Sequence, residues 1–388
     1  MKRKTRFRLI GALGCWGLVS SFAWAARAAS PLPPLYTHWI NYTPANGFPA
    51  GEVYCVAIDG QRIWAGTEHG LVLIEQGRVK KVFTRADGLA GYAVMSIAVN
   101  RHTGSVWVAS LGGLSRYSAG KFTRYTVLSS GLANDLVYSV AVHGKYVWAA
   151  TAAGVSRFNT WTHTWHIFSV MSQPSAPFKE PWAYALSIGP HKVYMGLWGG
   201  GVVVYNPRRQ TWRPYLNPAG SAEILLYRNQ GLISNMVSSL AHRPQSNSFW
   251  AGTYFGLSGY DGRRWHNYLR QDSGLASNFV NGVALQGRRV WAATQRGLTE
   301  FDPATHVWIT YRPVNWRAFD TATPPPPGRG EILITVPHHP PRRIETATSL
   351  AHNYVLGLAF QGRDIWVATA DGLSHGIASP TGDRHAHR

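Results

Sequence analysis

The sequence predicts an all-β fold: a seven-bladed β-propeller closed by an N-terminal strand that completes the last blade. Three observations predict it. An eight-residue phrase recurs seven times, successive copies come as close as 41 residues but no closer, and the last copy lacks the strand that should follow it. A repeat of that length suits four short strands per blade, so seven copies give seven blades in one domain.

The copies start at Trp64, Trp107, Trp148, Tyr194, Trp250, Trp291 and Trp366, with the fourth looser and carrying one extra glycine before Val202. Blade 3 is the cleanest. Val137 to Val142 alternates and reads as a first strand, and Gly144 turns it. Tyr146 to Thr151 is the second strand, and Gly154 turns again. Val155 to Phe158 and Thr164 to Phe168 are the third and fourth, rich in the aromatic and β-branched residues that suit a pleated surface. First strands repeat a small residue after a variable one: Cys55, Ser96, Ser139, Ala185, Ser239, Gly282 and Gly357. The strand nearest a propeller axis is the most crowded, so Cys55 is expected to pack rather than react.

Fourth strands carry two aromatics three residues apart, as in Phe122 and Tyr125, Trp165 and Phe168, or Trp308 and Tyr311. Blade 7 has no such pair after Leu373. Trp39-Ile-Asn-Tyr42 supplies it from the other end of the chain, which closes the ring and removes exposed sheet edges. The propeller is therefore expected over 36–377, with a polar, disordered tail over 378–388.

Lys2, Arg3, Lys4, Arg6 and Arg8 precede an apolar run and small-x-small cleavage patterns near Ala25 and Ala28. Residues 1–28 read as a secretory signal peptide, which implies a periplasmic or secreted product. No later stretch is apolar and long enough to span a bilayer. Formal net charge is +20 with only 18 acidic residues. That excess favours anionic neighbours such as acidic glycans or lipid headgroups; adaptation to an acidic medium would leave the same signature. Export argues against nucleic acid.

The pattern V-x-S-I/V-A followed by W-A-G-T-x-x-G-L resembles the two-component regulator propeller repeat, well in six blades and more weakly in blade 4. The resemblance implies an exported sensing propeller of a two-component-type system, often for carbohydrate signals. The chain shows one propeller and no kinase, so the resemblance bears on fold and compartment more than on signalling.

The two variable residues inside each phrase fall in loops on one face. Candidate ligand residues there are Glu68, His69, Trp198, Tyr254, Phe255, Gln295, Arg296 and Asp371, together with Trp182. Aromatic platforms with a few polar groups suit sugar rings or other flat polar ligands. Insertions near 169–181, 216–230 and 312–349 each follow a fourth strand and are expected to crowd the same face; an envelope protein could dock there. Glu223-Ile-Leu225 and Glu331-Ile-Leu333 are expected to add short strands. Asp135, Asn235, Asn278 and Asn353 hold one equivalent position and read as turn formers. No cofactor or metal set is expected, since His338-His339 lacks suitably spaced partners. No catalytic motif stands out, and Glu68 with His69 or Asp371 is the best acid–base pairing on offer.

Overall fold

The computed structural model describes residues 33–170, 178–220, 228–244, 246–314 and 328–379. Among the described residues it is all-β apart from two short 3-10 turns. Six sheets have four strands and one has six. Residues 1–28, where a signal peptide is expected, Glu223 to Leu225 and residues 380–388 lie outside the described residues.

Each blade is a meander. In blade 3 the strands are Val137–His143, Tyr146–Thr151, Gly154–Asn159 and Thr164–Phe168, paired in that order. The repeated phrase makes the second strand and the tight turn to the third. Its threonine side chain builds that turn. Thr67 Oγ1 donates to the Gly70 carbonyl at 3.0 Å and accepts the His69 N–H at 3.2 Å. Thr151, Thr253, Thr294 and Thr369 repeat both bonds. The closing glycine is required twice over. Gly70 and Gly154 have φ of +144° and +106°, and a Cβ at either would collide with a fourth-strand carbonyl, Phe83 or Phe168. The tryptophan of the phrase anchors the space between blades: Trp64, Trp107 and Trp291 are fully buried.

Ring closure occurs as expected. Tyr36–Tyr42 pairs antiparallel with Gly372–Ala378, setting Trp39 opposite Gly376 and Tyr42 opposite Leu373. Trp39 is 5 % exposed. Gly376 lies under its ring, where a Cβ would come within 2.7 Å. The last strand runs on to Ala378, and Ser379 N–H still bonds the Leu35 carbonyl, so the polar tail starts later than 378.

The third insertion departs from expectation. Gly330–Thr335, which contains Glu331 to Leu333, and Arg342–Thr346 extend blade 6 outward as fifth and sixth strands. They are not a loop crowding one face, since the turn between them reaches the opposite one. Ile332 and Ile334 are buried in one core with Tyr36, Trp39 and Tyr311. Thr348 Oγ1 accepts the Trp39 N–H at 2.8 Å, and Asn41 Nδ2 donates to the Ser349 carbonyl at 3.1 Å. Once a hairpin of alternating apolar residues follows a fourth strand, pairing with that open edge satisfies its backbone. The hairpin then covers the joint where the ring closes.

Candidate functional site

The first strands, Val53–Asp59 in blade 1 and its six counterparts, surround the axis. In all seven, pairing with the second strand slips by one residue just after the first position, for example between Val53 and Cys55. The extra residue of each bulge is Tyr54, Met95, Tyr138, Tyr184, Ser238, Asn281 or Leu356. A bulge re-aims the side chain it leaves unpaired, and these seven line a central channel of about 200 Å³. Below them comes the small-residue column. Ser96 Oγ and Ser239 Oγ accept N–H groups of Val140 and Val283 in the next blade, while Gly282 and Gly357 pack against neighbouring carbonyls. Cys55 Sγ lies 3.6 Å from the Val94 carbonyl oxygen, and burial pushes its thiol up to about 12. The column lines the same channel, its small side chains packed between neighbouring first strands.

The variable pairs ring the channel's upper mouth. The first member of each is tied to the channel side by the same bond in every blade, its N–H donating to the carbonyl before the first strand. Glu68 bonds Glu52, Trp198 bonds Trp182, Tyr254 bonds Met236, Gln295 bonds Phe279, and Ala370 bonds Tyr354. Blades 3 to 6 thereby form an arc of aromatic rings. Tyr138 and Tyr184 stack at 4.2 Å inside the channel. Tyr184 meets Trp198 at 5.1 Å, Trp198 meets Tyr254 at 4.4 Å, and Tyr254 meets Phe279 at 3.7 Å. Burial is the main cause that raises the Tyr184 hydroxyl to about 12, with Tyr138 and Tyr254 adding to it, so it stays a neutral donor. Trp182 stands at the rim, 46 % exposed.

Blades 7 and 1 supply carboxylates. Glu68 Oε1 accepts the Gly51 N–H at 2.9 Å, and the Gly51 carbonyl accepts the Gly372 N–H at 2.5 Å. Gly51 therefore sits between Glu68 and the turn that carries Asp371. Glu52 Oε2 accepts the Tyr54 hydroxyl at 2.8 Å. Burial raises the Asp371 carboxyl, partly offset by His352, whose own ring is lowered by burial. His69 lies 3.7 Å from Glu68 Oε1 but is 71 % exposed. Arg296 is held below its ordinary value by burial and by Arg270 and Arg312. Phe255 holds the second turn position of blade 5, its N–H on Thr253 Oγ1.

Of the residues named from sequence, Trp198, Tyr254, Gln295, Glu68 and Asp371 thus border one mouth. The bulge residues Tyr54, Tyr138, Tyr184 and Asn281, with Glu52, Phe279 and Tyr354, escaped sequence reasoning. Their signal was present as the freely varying second position of an otherwise fixed first strand. Asp135, Asn235 and Asn278 act as turn formers, accepting the N–H of Val127, Asn217 and Arg270 through their side chains. Among the described residues no three His, Cys, Asp or Glu side chains are grouped to hold a metal, and no helix is long and apolar enough to cross a membrane.

Neither a protein-family model nor a curated protein matches the chain. Solved structures do match it. The extracellular domain of BT4673 from B. thetaiotaomicron shares a TM-score of 0.64 at 17 % identity, over 89 % of this chain and 40 % of that one. The extracellular domain of BT3049 of the same organism, described as a hybrid two-component system, gives 0.61 at 17 % identity, over 89 % and 41 %. The computationally designed protein Ika8 gives 0.53 at 12 % identity, over 84 % and 96 %. This chain therefore spans about two fifths of the length of the two extracellular domains. The likeness is one of fold: a seven-bladed propeller like those in extracellular domains of two-component-type proteins, in agreement with the repeat resemblance.

Proposed function

We propose that the chain is an exported binding or sensing propeller that takes a small polar ligand with a flat face, a sugar ring fitting best, at the upper mouth of its channel. The observation that carries this reading is the unbroken run of rings from Tyr138 and Tyr184 in the channel to Trp198 and Tyr254 at the rim. Such a run offers stacking faces at two depths. Asn281 and Ser238 inside, and Glu68 and Asp371 opposite, offer partners for hydroxyl groups. The mouth carries both carboxylates, Glu68 and Asp371, and the Arg296 guanidinium, a mixed set that suits a neutral polar ligand. The reading extends to a role in a two-component-type system, with the propeller presenting the ligand-bound state to a signalling partner. A thermal-shift screen of neutral and acidic mono- and oligosaccharides tests it. Neutral sugars should raise the melting temperature of the wild type and not of Trp198→Ala; no shift with any sugar would count against it.

A second reading rests on a separate feature. Tyr92, Leu111, Leu128, Leu136, Trp182 and Met236 are all exposed, and all lie in upper-face loops of blades 1 to 5. An apolar crescent of this kind suits an envelope protein partner. Pull-down with Leu128→Glu and Tyr92→Glu would lose that partner while sugar binding persists.

A further inference from the structure

The cationic residues are dispersed along the chain, but the fold gathers many of them on one face. Turns from first to second strands, and from third to fourth strands, all open opposite the aromatic mouth. Every first-to-second turn carries a lysine or arginine at its tip or flank: Arg62, Arg101, Lys145, Lys192, Arg243, Arg288 and Arg363. This is one cation per blade, set in a ring around the lower end of the channel. Arg78, Lys121, Arg208 and Arg263 add an outer ring from third-to-fourth turns.

The carboxylates on this face, Asp59, Glu75, Asp261, Asp302 and Asp364, are fewer than the cations, and several are engaged by nearby backbone or side chains. Asp261 Oδ1 accepts the N–H groups of Arg263 and Arg264, each at 2.7 Å, and Asp302 Oδ1 accepts that of Ala304 at 3.0 Å. Asp59 pairs with Arg62, and Asp302 with Arg288. The upper face mixes the two signs: Asp87, Glu180 and Asp272 lie among its cations, Arg228 pairs with Asp272, and Arg270 and Arg312 lie near Arg296. On the lower face, at an outer turn, Trp161 is 76 % exposed, with the Lys145 ammonium 4.9 Å from its ring centre.

We propose that this lower face docks on an anionic lipid membrane surface, the ring lying parallel to the bilayer and Trp161 entering the headgroup layer. A circle of cations spread over seven blades meets a plane all at once, whereas an acidic polymer strand would cross only a few of them. Indoles favour the membrane interface, and basic residues near an anionic leaflet each strengthen binding several-fold. In this orientation the aromatic mouth faces away from the membrane, open to solutes.

Co-sedimentation of the purified protein with vesicles tests the proposal. Binding is expected to vesicles of equal parts phosphatidylcholine and phosphatidylglycerol, not to phosphatidylcholine alone, and should fall with salt. Arg101→Gln, Arg208→Gln and Arg263→Gln together should weaken it by about tenfold or more. The upper-face set Arg85→Gln, Lys179→Gln and Arg329→Gln removes the same charge and should leave it intact. Unchanged melting temperatures confirm that both sets fold. Trp161→Ala should weaken binding about threefold. The proposal is overturned by no binding to the anionic vesicles, by equal loss in the two triple variants, or by retention on dextran sulfate without vesicle binding.

Discussion

At the scale of single residues, burial decides the chemistry of the groups that attract attention. Cys55 is the one cysteine among the described residues, and it sits in the small-residue column with its thiol raised to about 12. It should resist thiol reagents in the native protein and react only on unfolding; rapid native labelling would contradict the packing role. Glu300 is a less visible case. It is enclosed in blade 6, 2.6 Å from Arg289 Nη1, and burial raises its carboxyl to about 7 despite that arginine. The unfolded carboxyl ionises near 4.5, so between these values the native state holds the extra proton. Its contribution to stability is therefore full below about 4.5 and lost as pH rises through about 7. The wild type should lose roughly 3 kcal/mol more than Glu300→Gln between pH 4 and pH 8. Denaturant titrations at the two pH values measure that difference, and equal losses would contradict it. A carboxylate that favours acid echoes the acidic-medium alternative for the low acidic content.

At the scale of elements, the ring-closing strand was legible because a missing aromatic pair at one end matched a surplus pair at the other. A chain beginning at residue 44 should aggregate or melt far earlier, since burial of Trp39 contributes roughly 1.5–3 kcal/mol and the half-buried Tyr42 adds less. Folding as stable as that of the full chain would show that the strand is dispensable. The added hairpin over 330–346 was only half legible. The Glu-Ile-Leu phrase it shares with another insertion announced a strand, but not that the hairpin would join blade 6 and cover Trp39, because no local pattern encodes which edge a hairpin finds. Replacing it with a short linker should lower the melting temperature by several degrees through exposure of Trp39 and Tyr36. The bulges were hidden for a similar reason. A one-residue slip in pairing leaves no mark on hydrophobic alternation, so the seven channel residues read as ordinary variable positions.

At the scale of the whole molecule, the repeat turns residues spaced about forty apart in sequence into rings around one axis. The fixed letters of the phrase became framework, and the free letters became the mouth. Charge shows the same conversion: cations scattered along the chain become a ring of one per blade on the lower face, while Glu52, Glu68 and Asp371 lie at the upper mouth. Ligand identity lies beyond this symmetry, because it depends on the few positions where the seven blades differ. The central claim is that those differences build a binding site from Tyr184, Trp198 and Tyr254. Calorimetric titration with the sugar that most raises the melting temperature tests it most directly. Tyr184→Ala and Trp198→Ala should each weaken binding by about tenfold, with Trp161→Ala on the opposite face unchanged. Equal affinity in all four proteins would contradict the account.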